Sequence, residues 1–224
     1  MERKFVFSEG EFYHVYNRGV DKRTIFQNDS DYRHFVRSLY LLNNKNPIVI
    51  RDVSRGLPYG ELFKLDKGEN LADVGAYCLM PNHFHLLLKE KESGGISNFL
   101  LKMLTSYSSS FNKKYGRTGS LFEGPFGAEH LDSDNYLKYM HAYIHLNPVK
   151  LIDHDWKEKG IINMAKTKDF LYNYKYSSYS DYLGINRAEG RILNREAFPE
   201  YFFDKKEFED FVSDWLNIGL PSGR

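Results

Sequence analysis

The apolar and polar positions of this chain divide it into short alternating runs and longer stripes at helical spacing. Phe12, Tyr13, Val15 and Tyr16 lie in an aromatic and β-branched run that predicts a first strand over residues 11–18, ended by Gly19. Capping types at Asn28, Asp29, Ser30 and Asp31 precede Phe35, Leu39 and Leu42, whose spacing predicts a helix over 30–43. Residues 47–53 read as a second strand, and 54–73 as a loop or irregular hairpin because Gly56, Pro58, Gly60 and Gly68 interrupt them. Two further strands, 74–80 and 83–89, are joined by a turn at Pro81 and Asn82. Ile96, Phe99, Leu100, Met103, Leu104, Tyr107 and Phe111 then fall at steps of three and four, a helical stripe facing the sheet, closed by Gly116 and Gly119. Asp132, Ser133 and Asp134 open another helix through Tyr136, Tyr139, Met140, Tyr143 and Ile144. Pro148 stops it, because the residue before proline avoids helical geometry. Past Trp156 the chain is aromatic and polar, and it ends in a mixed-charge helix around 205–216.

This order predicts a ferredoxin-like α+β sandwich, a mostly antiparallel sheet with helices packed on one face. There is no internal repeat and no low-complexity linker, so residues 1–183 read as one domain and 184–224 as a C-terminal extension, partly helical. A chain of 224 residues can enclose one substantial core.

The aromatic fraction of 16%, with Tyr and Phe at 17 each, suits packing and also base stacking. A net charge of only +1 means that an anionic partner has to be met by local patches. Cys78 is the single cysteine, which excludes a disulfide framework and a thiolate zinc knuckle and fits a reducing compartment. No apolar h-region opens the chain, and no window approaches eighteen consecutive apolar residues. The expectation is a soluble cytoplasmic protein with no membrane partner.

The chemistry concentrates at His83 and His85. Successive strand side chains alternate faces, so the two imidazoles point the same way, about 7 Å apart along the backbone, while Phe84, Leu86 and Leu88 point into a core. Such a pair can hold one divalent ion. A third group is needed, and no thiolate or His-Glu-x-x-His helix supplies it. Tyr143 and Asn147 are four apart and share one helical face, with Tyr136, Tyr139 and Met140 nearby on it, and the Asn147 amide oxygen at the helix end is free to face a metal. Asparagine before proline is also a common helix terminator, and tyrosines at helical spacing are usually core.

These residues carry a resemblance. YCLMPNHFHLLL (77–88), followed some sixty residues later by YIHLNPVK (143–150), is similar to the HUH single-tyrosine transposases, and most similar to the REP-associated tyrosine transposases. YHVYNRG (13–19), RTGSLFE (117–123) and YSSY (176–179) also match, so the resemblance spans roughly residues 10–182 and makes 1–183 a catalytic domain of that family. It implies His83 and His85 as metal ligands, Tyr143 as nucleophile, Asn147 as a third ligand and Mg²⁺ or Mn²⁺ as the ion. The implied activity is that of a metal-dependent single-stranded DNA endonuclease and strand transferase. Its tyrosine oxygen attacks a DNA phosphate, expels the 3′-hydroxyl and leaves a 5′-phosphotyrosine link that a second DNA end can reverse. The implied partner is single-stranded DNA with hairpins, REP-like or at element ends. The chain leaves open whether it works as a monomer or a homodimer.

Tyrosine's reference pKa near 10 leaves only about one phenol in a thousand ionised at pH 7, so a cation and in-line positioning have to supply most of the acceleration. Tyr107, close in sequence to the histidines, is the chief rival nucleophile, although it lies on an apolar stripe; Tyr136 and Tyr139 rank below it. Candidate DNA contacts are Asn17, Arg18 and Arg23, gathered with Lys22 just after the first strand, and Lys113, Lys114 and Arg117 in an acid-free run over 101–122. Two other functions use the same features: a catalytically silent domain that recognises hairpin DNA or RNA, and a small-molecule metallohydrolase whose nucleophile is water.

Overall fold

The computed structural model describes residues 6–219. Strand β1 (Phe12–Arg18) leads to helix α1 (Asp29–Leu41), a single turn α2 (Ile50–Val53), strand β2 (Ala72–Met80) and strand β3 (His83–Glu90). Helix α3 (Gly95–Lys114), strand β4 (Gly127–His130) and helix α4 (Asp134–Leu146) follow. After a 3-10 turn over Asn147–Leu151 come α5 (Trp156–Lys159), α6 (Met164–Asn173), α7 (Tyr179–Tyr182) and α8 (Lys205–Ile218). The four strands lie in the order β2-β3-β1-β4, every neighbouring pair antiparallel, so each helical crossover returns to the sheet with one strand between its two ends. This is a ferredoxin-like α+β sheet.

Helices α1 and α3 cover one face. Phe35 and Leu39 from α1, and Ile96, Phe99, Leu100 and Met103 from α3, meet Val15, Phe84, Leu86 and Leu88 in one core, all fully buried. The stripe from Ile96 to Phe111 is thus realised, with Leu104 only partly covered. Asp31 and Lys114 clamp the two helices together at 2.6 Å. Asp31 also accepts from Gln27 N–H at 2.9 Å beside the α1 N-terminus, where a negative charge is favoured.

The opposite face is not bare. α4 lies across it, placing Leu137, Met140 and Ile144 on Ala76, Cys78, Met80 and Leu87. A bulge between Val74 and Ala76 shifts the alternation of β2, so that Val74 faces α1 and α3 while Ala76, two residues on, faces α4. The far side of α4 is covered in turn by the C-terminal segment. Ala142 and Leu146 pack with Trp156, Leu171, Tyr179, Tyr182, Phe208, Val212 and Leu216.

Two local expectations are overturned. Residues 47–53 form no strand; Val49 is exposed, and Ile50 starts the one-turn α2. The outer edge of β2 is taken by residues 176–178, with Leu79 N–H donating to the Tyr176 carbonyl and Ser178 N–H to the Tyr77 carbonyl. A strand that the pattern did not announce, β4, pairs with β1 instead. It has four residues and no β-branched side chain, and it exists because β1 offers an edge. A Cβ at Gly127 would come within 2.7 Å of the Tyr16 ring, which would have to shift to admit it.

Two histidines of α4, His141 and His145, are buried on the side facing the C-terminal helices. Among the described residues neither ring nitrogen of His141 has a hydrogen-bond partner, and aromatic rings of Tyr182, Tyr201 and Phe202 surround it. Burial pushes His141 down to about 3 and holds His145 well below the usual imidazole range. An unfolded histidine takes up a proton near pH 6.5, so between about pH 3 and 6.5 the unfolded chain binds protons that the native state refuses. Stability is therefore complete above pH 7 and falls as the pH drops, by at most roughly 1.4 kcal/mol per pH unit for each such group. Urea midpoints at pH 7.5 and pH 5.0 should show this fall, and His141→Leu should shrink it. An unchanged difference in that variant would remove the buried imidazole as its source.

Candidate active site

The face of the sheet that receives α4 is where the chemistry gathers. On β1, His14, Tyr16 and Arg18 alternate with the core residues Tyr13 and Val15. The β1–β3 register sets Tyr16 against His85 and Arg18 against His83, and β4 brings Glu129 opposite His14. The row across the sheet is Cys78, His85, Tyr16, Gly127. His83 and His85 therefore stand on the α4 side of β3, their ring centroids 5.0 Å apart and their planes at 90°.

A pair of interlocked turns fixes His83. The carbonyl of Pro81 accepts from Ile25 and Phe26 N–H, and that of Asn82 from Gly19 N–H, so the β2–β3 turn is tied to the segment after β1. Within that segment Asp21 and Lys22 both adopt left-handed backbone, φ 55° and 57°, a strained choice for residues with a Cβ. Asn82 Oδ1 lies 2.6 Å from His83 Nδ1, and its amide donates to the Lys22 carbonyl.

Tyr143 reaches this face from α4. Its ring meets His85 edge-on at 5.4 Å between centroids and His14 at 5.6 Å. Asn147, one turn later, donates from its amide to the Tyr143 carbonyl at 2.9 Å. Its side chain also interacts with the His83 imidazole and the Tyr143 hydroxyl. Burial raises the Tyr143 phenol above its ordinary value, and the Asn147 contact works against that rise. The rival Tyr107 lies on the other face of the sheet, 2% exposed, its hydroxyl bonded to the Ile25 carbonyl. Tyr136 donates to Glu129 at 2.9 Å, and Tyr139 packs between Tyr143 and Trp215.

Electrostatics hold the histidines neutral. Burial, then the charges of Lys150 and Arg18, push His83 down to about 4. Burial and the neighbouring His14 and His83 hold His85 well below the usual range. Lys157, the second residue of α5, sets its ammonium 4.8 Å from the centre of the Tyr143 ring. Burial, with Lys150 next, lowers Lys157 to about 8.

The candidate DNA contacts have varied placements. Arg18 stands in register with His83 and is held by Glu123 through a bidentate pair at 2.9–3.1 Å. Asn17 is buried on the core side and its amide donates to the Gly124 carbonyl. Arg23 bonds the Val20 carbonyl and Asp21, Lys114 is held by Asp31, and Arg117 bonds Asn112. Lys113 is exposed at the end of α3. His14, Tyr16, Glu129, Lys150 and Lys157 complete the cluster; His14 and Tyr16 lie within the YHVYNRG run and Lys150 within YIHLNPVK, but none of the five is a site residue by sequence alone. The alternation His14, Tyr16, Arg18 was the available signal on β1; nothing in the pattern pointed to Glu129 or Lys157.

Among the described residues no three His, Cys, Asp or Glu side chains converge as a metal cage. Two neutral imidazoles and an amide nevertheless suit a divalent ion that keeps positions open for water or phosphate oxygens. Nδ1 of each imidazole is already engaged, His83 with Asn82 and His85 with His14, which leaves Nε2 as the nitrogen that could hold an ion. The residues present fit the group.

No helix among the described residues is long and apolar enough to cross a membrane. No curated protein matches the chain. Among solved structures it is similar to a REP-associated tyrosine transposase bound to a REP hairpin, with a TM-score of 0.50 and 14% identity, over 92% of this chain and 93% of that one. A likeness at that identity speaks to the fold. The family model described as IS200-like transposase matches residues 13–147, which span β1, the histidine strand and the whole of α4 up to Asn147. The chain belongs to the IS200-like transposase family.

Proposed function

We propose that this protein is a metal-dependent single-stranded DNA endonuclease and strand transferase, acting in the cytoplasm on hairpin-bearing DNA, with Tyr143 as its nucleophile. The observation that carries the proposal is the meeting of the Tyr143 ring with His85, while the Asn147 side chain contacts both His83 and the Tyr143 hydroxyl. The family supports the reaction class, and the similar structure, solved with a REP hairpin, supports the kind of DNA.

In this reading the Tyr143 oxygen forms a bond to phosphorus, and the bond from phosphorus to the 3′ oxygen breaks. The phenol gives up its proton and the departing 3′ oxygen gains one, so the phosphodiester is exchanged for a phosphotyrosine without loss of bond energy to water. A second 3′-hydroxyl reverses the step and joins strands. His83, His85 and Asn147 would hold Mg²⁺ or Mn²⁺, which when bound supplies positive charge to the phosphate oxygens.

The remaining work belongs to the chain. Burial raises the Tyr143 phenol further above neutral pH, so its proton has to leave as the bond to phosphorus forms. The Asn147 contact favours the phenolate and opposes that burial. Lys157, still mostly charged at pH 7, faces the ring and stabilises the anion as it forms. The α4–sheet packing sets the angle from which the oxygen approaches.

Labelled single-stranded hairpin DNA incubated with Mn²⁺ should give a covalent protein–DNA band on a denaturing gel. Tyr143→Phe and His83→Ala should abolish it, whereas Tyr107→Phe should retain it at reduced stability. Binding without any band would instead identify a silent recognition domain, and indifference to DNA would favour hydrolysis of a small molecule by water. Removing the charge beside the ring should slow adduct formation at pH 7 about tenfold in Lys157→Met, equivalent to roughly 1.4 kcal/mol. Lys157→Arg should keep most of the rate. Equal rates in wild type and Lys157→Met would take Lys157 out of the mechanism.

A further inference from the structure

His14 and Glu129 play no part in the reaction as described, yet they form a chain behind His85. His14 Nε2 lies 2.9 Å from His85 Nδ1, and the two rings are nearly parallel, 18° apart. On its other side His14 Nδ1 is buried and lies 3.6 Å from Glu129 Oε2, with which it interacts. Glu129 is held from behind by the Tyr136 hydroxyl at 2.9 Å, and it also interacts with Tyr16.

A neutral imidazole carries one proton and one lone pair, and two nitrogens 2.9 Å apart share a single proton. Two arrangements are open. If His14 is protonated at Nε2, it donates to His85 Nδ1, and the His85 proton must then sit on Nε2. That closes the only His85 nitrogen left to hold an ion. If His14 is protonated at Nδ1, its Nε2 accepts from His85 Nδ1–H, and His85 Nε2 offers a lone pair. The carboxylate beside His14 decides between them: it attracts an N–H at Nδ1 and repels a lone pair there.

We propose that Glu129 and His14 are positioning residues that hold His85 in the tautomer whose Nε2 can bind a divalent cation. The inference rests on the reading of His85 as a ligand, and its first test needs neither ion nor DNA. Asn82 performs the same service for His83 directly, through Oδ1 at 2.6 Å from Nδ1. The two ligands are thus set by different means, one by a neighbouring turn residue, the other by a relay across three strands, β3, β1 and β4.

Side-chain nitrogen NMR of the metal-free protein at neutral pH should show His85 protonated at Nδ1 and His14 protonated at Nδ1. In Glu129→Met, both rings should shift toward the other tautomer, and Mn²⁺ affinity, read by electron paramagnetic resonance without DNA, should fall about 10- to 100-fold. Glu129→Asp should recover part of the loss. His14→Gln, whose side-chain oxygen can accept from His85 Nδ1–H, should bind Mn²⁺ better than His14→Phe, which cannot accept at all; a merely space-filling role would rank them the other way. His85 protonated at Nε2 in the wild type, or unmoved by Glu129→Met, overturns the proposal even if the Tyr143 adduct forms normally. Tautomers and Mn²⁺ binding as expected, with no adduct, would leave this relay standing and sink the transferase reading instead.

Discussion

The parity of one strand governs this molecule. His83 and His85 share a face of β3 only because Phe84, Leu86 and Leu88 are drawn into the core on the other, and hydrogen bonding to β1 and β2 locks that choice. A slip of one residue would drive both imidazoles into hydrocarbon and bring three large apolar side chains out beneath α4. The same register sets Tyr16 beside His85 and Arg18 beside His83. The contacts of the two imidazoles with His14 and Asn82 descend from this alternation. The core on the α1 and α3 side, with its fully buried aromatic and aliphatic residues, is what makes a slip unaffordable.

The second condition is that a helix lies across the histidine face. α4 meets the sheet through Leu137, Met140 and Ile144, and this apolar contact delivers Tyr143 edge-on to His85 and His14. Burying polar groups in such a seam is unfavourable unless each finds a partner. The partners are present: Asn147 for Tyr143 and His83, Asn82 for His83, His14 for His85. Lys150 and Lys157 bring positive charge to the same seam, and this charge combines with burial to keep the imidazoles deprotonated. An acidic cage would have done the reverse and attracted protons to the rings.

Much of this was legible in sequence where the side chains obey a period. The helix stripe from Ile96 to Phe111, the alternation around His83, and the i, i+4 pair Tyr143 and Asn147 all translate directly into geometry. What escaped has physical reasons. Residues 47–53 have strand composition, but the outer edge of β2 is occupied by residues 176–178, which come from far along the chain. β4 has no pattern of its own and borrows its shape from β1, so Glu129, which it carries, was invisible. Lys157 belongs to a four-residue helix whose position depends on Trp156 being buried against Ala142 and Leu146, a contact that no local rule announces. Charge runs translate less directly. Lys114 and Arg18 each meet an acid far away in sequence, Asp31 and Glu123, while Lys113 stands exposed, so the placement of each cation depends on the fold and not on the local count.

α4 is enclosed on both sides, by the sheet through Met140 and Ile144 and by the C-terminal helices through Ala142 and Leu146. A helix caught in that way is no swinging arm. In the proposed strand exchange the traffic would fall to the nucleic acid: the first end would depart and the second arrive at a phenol held between the protein's two hydrophobic layers.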